Sequence, residues 1–272
     1  MSAPTTRSAA RPGHTRTEAG LGTALVRTAR AEWSRLWSVR STWWFVGATG
    51  VAVLGLGFLL TLDTANNPGI EVPPGGAWTS SQFAAIFALF GVVATAVVTT
   101  TADHTTGGIV PSLQWTPRRG VLLAARTLVV VLTLTAYALV LLTLVAVTVH
   151  VASPRFGLDA GDGARILGTI GFVLATNLLL AVGVGLLTRS TAGGLVTVIG
   201  LDLVLPLVLA IVPVDGFERL GDLMPGTAVL FLLLDGGASD LTPTTARLTL
   251  AAWAAAAMVL GGMRLARSDA GH

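Results

Sequence analysis

A chain of 272 residues with a mean hydropathy of +0.76 and only 11% charged residues cannot cover itself with enough polar surface to be an ordinary soluble domain. Its apolar runs exceed the roughly 20 residues a helix needs to cross the hydrocarbon layer and lack the alternation of barrel strands, so the expected fold is an all-α polytopic membrane protein. No cysteine is present, which removes disulfides, thiolate metal sites and a cysteine nucleophile; all 17 basic residues are arginine, and without lysine no Walker A loop can form, so any ATP is bound by another polypeptide.

Residues 1–20 are polar, with Pro12, Gly13 and scattered Arg and Thr, and are expected to be a disordered cytoplasmic tail. A secretory signal would carry its apolar core much nearer Met1, so none is expected. Residues 21–42 read as an amphipathic helix. Leu25, Val26, Ala29, Trp33, Leu36 and Trp37 fall in one arc at helical spacing, and Arg27, Arg30, Ser34, Arg35 and Ser38 fall on the other side. Tryptophan suits the headgroup layer and arginine reaches its phosphates, so this helix is expected to lie flat on the cytoplasmic face of the bilayer. The chain is then expected to turn into the membrane at Arg40, Ser41 and Thr42. The plainer reading is a positive-inside flank with aromatic anchors.

Spans are expected at about 43–62, 82–101, 127–149, 166–187, 192–212 and 243–263, making a six-helix domain over 43–264 followed by a short cytoplasmic tail, 265–272. In the first span, Gly47, Gly50, Gly55 and Gly57 offer faces that another helix can approach closely. The loop after it contains Asp63 and Glu71 and no arginine, which assigns it to the outside. After the second span, two glycines at 107 and 108 break the helix, Pro111 restarts it and Pro117 ends it before Arg118 and Arg119. A short cytoplasmic helix of about one and a half turns is expected there. Composition alone favours a plain cytoplasmic loop.

Asn177 lies near the middle of the fourth span, where its amide is expected to bond to a neighbouring helix. Asp202 lies near the centre of the fifth, with Pro206 one turn later. An acid at that depth costs at least about 2.5 kcal/mol on insertion scales and usually faces a bundle interior or a wet cavity. It is either a lining residue of a transport route or a packing residue. Residues 223–234 form an apolar run too short to cross and read as an outer-surface or re-entrant helix. Thr242 is the expected N-cap of the last span, with Pro243 at its first position. With both termini inside, thirteen of the 17 arginines fall on the cytoplasmic side, as the positive-inside rule demands, so the pI near 10.8 needs no nucleic acid to explain it.

The stretch E-W-S-R-L-W-S-V-R-S-T-W-W, residues 32–44, resembles the opening of actinobacterial permease subunits of ABC-type exporters, the type-2 ABC permease family. In that family such a helix connects the membrane part to a separate ATPase subunit, which gives Glu32, Trp33, Arg35 and Arg40 as coupling candidates. The segment from residue 103 is similar to the family's coupling segment at Asp103, Gly107, Ile109, Leu113, Pro117, Arg118 and Arg119. It departs at His104, Gly108, Val110 and Pro111, where the family has an aromatic, Thr, Arg and a helix former. The resemblance implies a bacterial cytoplasmic-membrane subunit that holds no cofactor. It further implies a second permease subunit, identical or related, with the transport route between the two.

Three functions compete on these residues. The first is an export permease driven by a partner ATPase, moving a lipophilic substrate such as a drug, peptide or lipid, with Asp202 and Asn177 on its pathway. The second is a non-transporting scaffold or an immunity or resistance component. The third, an intramembrane enzyme, finds no support, because His14, His104, His150 and His272 are dispersed and neither an H-E-x-x-H pair nor a G-x-S-x-G elbow occurs.

Overall fold

The computed structural model describes residues 21–106, 119–212, 216–234 and 241–267. Among them no strand occurs; the helices are α1 (Leu21–Ser38), α2 (Arg40–Asn66), α3 (Trp78–Thr106), α4 (Arg119–Ala152), α5 (Ala160–Thr188), α6 (Thr191–Ile211), α7 (Phe217–Asp222), α8 (Pro225–Leu233) and α9 (Pro243–Arg267). Six of these, α2 to α6 and α9, are long and apolar enough to cross a membrane. The protein is an all-α, multi-pass membrane protein. Most of the long helices extend past the apolar windows read from sequence, because a helix continues through the interfacial layer until something caps it.

The caps can be identified. Val39 is extended, with φ −85° and ψ 120°, and separates α1 from α2 one residue before the expected turn. Three tryptophans hold that corner: Trp33 and Trp37 meet edge-on at 5.8 Å, Trp37 and Trp43 lie at 5.0 Å, and Trp43 Nε1 donates to the Trp37 carbonyl at 3.0 Å. At the other end of α2, the Arg155 guanidinium donates to the carbonyls of Thr64 (3.2 Å), Asn67 (2.8 Å) and Pro68, supplying donors where the helix has run out of them. Asp159 caps α5 by accepting from the backbone N–H of Gly161 and Asp162 at 2.8 and 3.0 Å. Thr242 and Thr245 bond reciprocally at the start of α9, the cap expected from sequence.

The core lies around α5. Seventy-two per cent of its apolar window is buried inside the protein, against 61% for α3 and only 17% for α2, so α5 and α3 are the central helices and α2 an outer one. Small residues set the closest approaches. Gly183 and Gly261 bring the backbones of α5 and α9 together, and Gly57 receives Val145 of α4. Of the other glycines expected to pack in α2, Gly50 faces the Tyr137 hydroxyl, while Gly47 and Gly55 face open space.

The fifth span is not a uniform helix. Its residues Gly200–Val204 form a π turn directly before Pro206, whose missing N–H and ring interrupt the regular ladder. The short helix α8 packs against this turn, with Gly226 seated on the Asp202 carbonyl. At nine residues α8 is too short to cross, as its sequence implied, and Trp253 Nε1 of α9 fixes its approach by donating to the Leu223 carbonyl at 2.8 Å.

Candidate functional site

The α1 end of the bundle gathers charge where hydropathy alone would put none. Glu32 is the only acid of α1, and its side chain, 11% exposed, points into the bundle rather than away from it. Arg126, two turns into α4, forks onto it: Nε donates to Oε2 at 3.1 Å and Nη2 to Oε1 at 3.4 Å. Arg35, one turn along α1, donates from Nη1 to the same Glu32 Oε2 at 3.1 Å and from Nη2 to the Thr99 carbonyl of α3 at 3.1 Å. One carboxylate thus joins two guanidiniums, and through them three helices. Arg126 is 6% exposed, so its pair with Glu32 is buried, while Arg35 stands nearer the surface.

The network lines a small cleft with Leu36, Val39, Thr100 and Val130. The threonines of α3 add no unmet polarity: the hydroxyls of Thr95, Thr99, Thr100 and Thr101 each donate to a carbonyl one turn back in their own helix. Thr101 also meets Thr191 of α6 at 2.7 Å, tying the α5–α6 connection to the same end. Arg189, in the left-handed conformation at φ 54°, makes that connection a tight one.

The structure adds to the reading of α1. Arg35, assigned by periodicity to the polar face turned away from the apolar arc, faces the bundle, while Val26 and Trp33 of the apolar arc are 53% and 49% exposed, open to a bilayer surface. The reason is that α1 packs against the polar, threonine-rich end of α3 and against Arg126, so its acid and one arginine are the buried side. Arg27, Arg30 and Arg40 are exposed. Of the coupling candidates, Glu32 and Arg35 are therefore brought together, and Trp33 and Arg40 lie on the outer side of the same corner. Asp103 ends in α3 and Arg119 begins α4, without a description of their side chains. Gly107, Ile109, Leu113, Pro117 and Arg118 lie outside the described residues.

Arg126 and Thr99 were not among the candidates. A signal for Arg126 existed: it is an isolated charge two turns inside an otherwise apolar helix, and Glu32 is an isolated acid in an arginine-rich one.

The two midspan polar residues are not brought together. Asn177, 1% exposed, donates from Nδ2 to the Val173 carbonyl of its own helix at 3.0 Å, and its Oδ1 has no partner. This overturns the expected bond to a neighbouring helix, because the carbonyl one turn back lies within reach without any tertiary contact. Asp202, 5% exposed, is in the π turn, and neither carboxylate oxygen has a hydrogen-bond partner. An unpartnered carboxylate is a cost to the fold, so Asp202→Asn is expected to stabilise the purified protein by about 1 kcal/mol or more, read as a raised Tm. If transport falls while Tm rises, the acid is retained for use rather than packing.

No protein-family model matches this chain, and no curated protein matches it in sequence.

Proposed function

We propose that the chain is the permease subunit of an ATP-driven exporter, working with a separate ATP-binding-cassette ATPase and a second permease subunit in a bacterial cytoplasmic membrane. It hydrolyses nothing itself, and its substrate is a lipophilic molecule. The reading begins from the resemblance of residues 32–44 and 103–119 to the coupling regions of type-2 ABC permeases.

The observation that carries it is the Glu32 network. Residues 107–118 connect α3 to α4 in the chain, and Glu32 and Arg35 bind α1 to Thr99 of α3 and Arg126 of α4, about two turns from the ends of those helices. A partner that pushes on α1 or on the segment therefore moves both together with two spanning helices. Force transmission of this kind needs a rigid body, and a buried ion-pair network at the joint supplies one. The outer face of α1, with Arg27, Arg30, Trp33 and nearby Arg40, is the surface offered to the ATPase and to anionic headgroups. With α1 inside, most of the arginines lie on the cytoplasmic side, in keeping with the positive-inside rule.

The test is co-purification of an ATP-binding-cassette ATPase with this chain from its native membranes, followed by nucleotide-dependent export in proteoliposomes. Wild type is expected to bring the ATPase down and to export only with ATP, and deletion of residues 107–118 is expected to abolish both. A complex that works without a nucleotide-hydrolysing companion, or labelling that finds α1 on the outer face, overturns the reading.

A further inference from the structure

At the end of the bundle opposite α1, a groove of about 320 Å3 opens between the N-terminal parts of α3, α5 and α9 and the short helix α8. Its walls divide by chemistry. Gln82 (8% exposed), Ile166 and Leu232 are buried at its base, while Arg165 and Arg247 stand exposed on its rim. Arg165 and Thr169 share one face of α5 at i and i+4, and Pro243 and Arg247 do the same on α9, so two rigid helices hold the guanidiniums over a common opening. Arg165 has one carboxylate neighbour, Asp162, at 3.5 Å; that pair is exposed and occupies only one Nη of a guanidinium that carries five donors.

Depth matters as much as charge. Arg247 is in the second turn of the last spanning helix and Arg165 in the second turn of α5, so both stand near one end of a membrane-spanning segment, the depth at which arginine meets headgroups. Phe231 and Leu232 of α8 line the groove itself, and on α3, next to Gln82, Phe83 and Phe87 stand at i and i+4, each 47% exposed on a helix whose window is otherwise mostly buried. Two guanidiniums at the mouth, an amide beneath them and exposed phenylalanines on the adjoining helix match a molecule with an anionic head and an apolar tail. Neither a free anion nor a neutral amphiphile uses both halves.

The geometry points to a binding site for an anionic phospholipid, its phosphate held by Arg165 and Arg247 with Gln82 beneath, and its acyl chain lying along Phe83 and Phe87. The volume accommodates the head group, and the tails remain in the bilayer. Arg165 and Arg247 belong to the few arginines that lie away from the α1 end, where the positive-inside rule gives them no role. The assignment stands whether or not the chain transports anything.

The experiment is native mass spectrometry of the full-length protein in neutral detergent, titrated with phosphatidylglycerol and with phosphatidylcholine of the same chains. Wild type is expected to prefer phosphatidylglycerol by about 25-fold, from roughly 5-fold for each arginine near the anionic head. R165Q/R247Q is expected to lose the preference, and R165K/R247K to keep most of it, because a phosphate accepts a point charge. F83A/F87A keeps the charges and is expected to weaken phosphatidylglycerol binding severalfold. R264Q/R267Q, at the other end, reports whether any loss is a general effect of lowered charge and is expected to bind as wild type does. Equal retention of the two lipids by wild type, an unchanged preference in R165Q/R247Q, or displacement of phosphatidylglycerol by millimolar inorganic phosphate alone overturns the assignment.

Discussion

Glu32→Ala is expected to lower the unfolding free energy by about 3–5 kcal/mol, the cost of removing one member of a buried ion pair. The group most affected is Arg126, whose side chain is 8% exposed and which donates to both oxygens of the Glu32 carboxylate. Arg35 loses its carboxylate too, yet at 26% side-chain exposure it is reached by solvent and keeps the Thr99 carbonyl. Arg35→Gln is accordingly expected to cost about 1 kcal/mol. The double variant E32Q/R126Q removes both charges and is expected to be more stable than E32Q alone, a coupling of about 0.5–3 kcal/mol. Arg126→Lys loses the fork that spans both carboxylate oxygens and is expected to fall between wild type and R126Q. Because the chain contains no cysteine, a single cysteine at Ala24 gives a clean label for the docking of α1. Its reactivity is expected to rise in E32A if the network holds α1 against α3 and α4. Wild-type Tm together with unchanged labelling would mean that the Trp33, Trp37 and Trp43 corner holds α1 without the ion pairs.

What could be read in the sequence, and what could not, divides by the range of the interaction. Hydropathy over about 20 residues revealed all six crossing helices, because the bilayer imposes its thickness on each helix separately. Local chemistry revealed Thr242 with Pro243 as a helix start, and the shortness of the run before it foretold that α8 does not cross. Arg35 was placed away from the bundle because helical periodicity finds the apolar side of a helix and cannot tell which of its polar residues meets a partner. In α1 the partner surface is polar, and Glu32 meets Arg126 across 94 residues of chain. The π turn at Gly200–Val204 left only Pro206 as its sequence trace, and α7 left none that periodicity could detect in six residues. Asn177 failed for the opposite reason: the expected partner was distant, and the carbonyl of Val173 was nearer.

Gly183→Leu is expected to be at least as damaging, although it adds only apolar atoms to an apolar site. A Cβ at Gly183 would stand 2.6 Å from the Ala257 carbonyl oxygen and 2.8 Å from the Ala257 Cβ, and one at Gly261 would stand 2.6 Å from the Gly183 carbonyl oxygen. These neighbours are backbone, or fixed to it, so no rotamer change relieves the clash and α5 must part from α9. In lipid the hydrophobic effect does not push the two helices back together; their association rests on close packing, which a gap of a few tenths of an ångström already weakens. Overpacking of this kind costs about 1–3 kcal/mol for a methyl, so Gly183→Ala and Gly261→Ala should each fall in that range and Gly183→Leu beyond it. The sign makes the test sharp, since alanine in a helix interior is intrinsically favoured over glycine by about 1 kcal/mol. Gly168, on the same helix with nothing within 4 Å of its would-be Cβ, supplies the control: Gly168→Ala is expected to raise Tm while Gly183→Ala lowers it. The loss should also propagate to the α1 end, where the Arg264 guanidinium of α9 donates to the Leu187 carbonyl one turn beyond Gly183 and caps α5. Loosened there, the α5–α6 hairpin loses the backing that Thr101 and Thr191 share with α3, so a label near Ser190 is expected to report the damage. Equal thermal shifts for Gly168→Ala and Gly183→Ala would mean that the α5–α9 contact contributes nothing to stability.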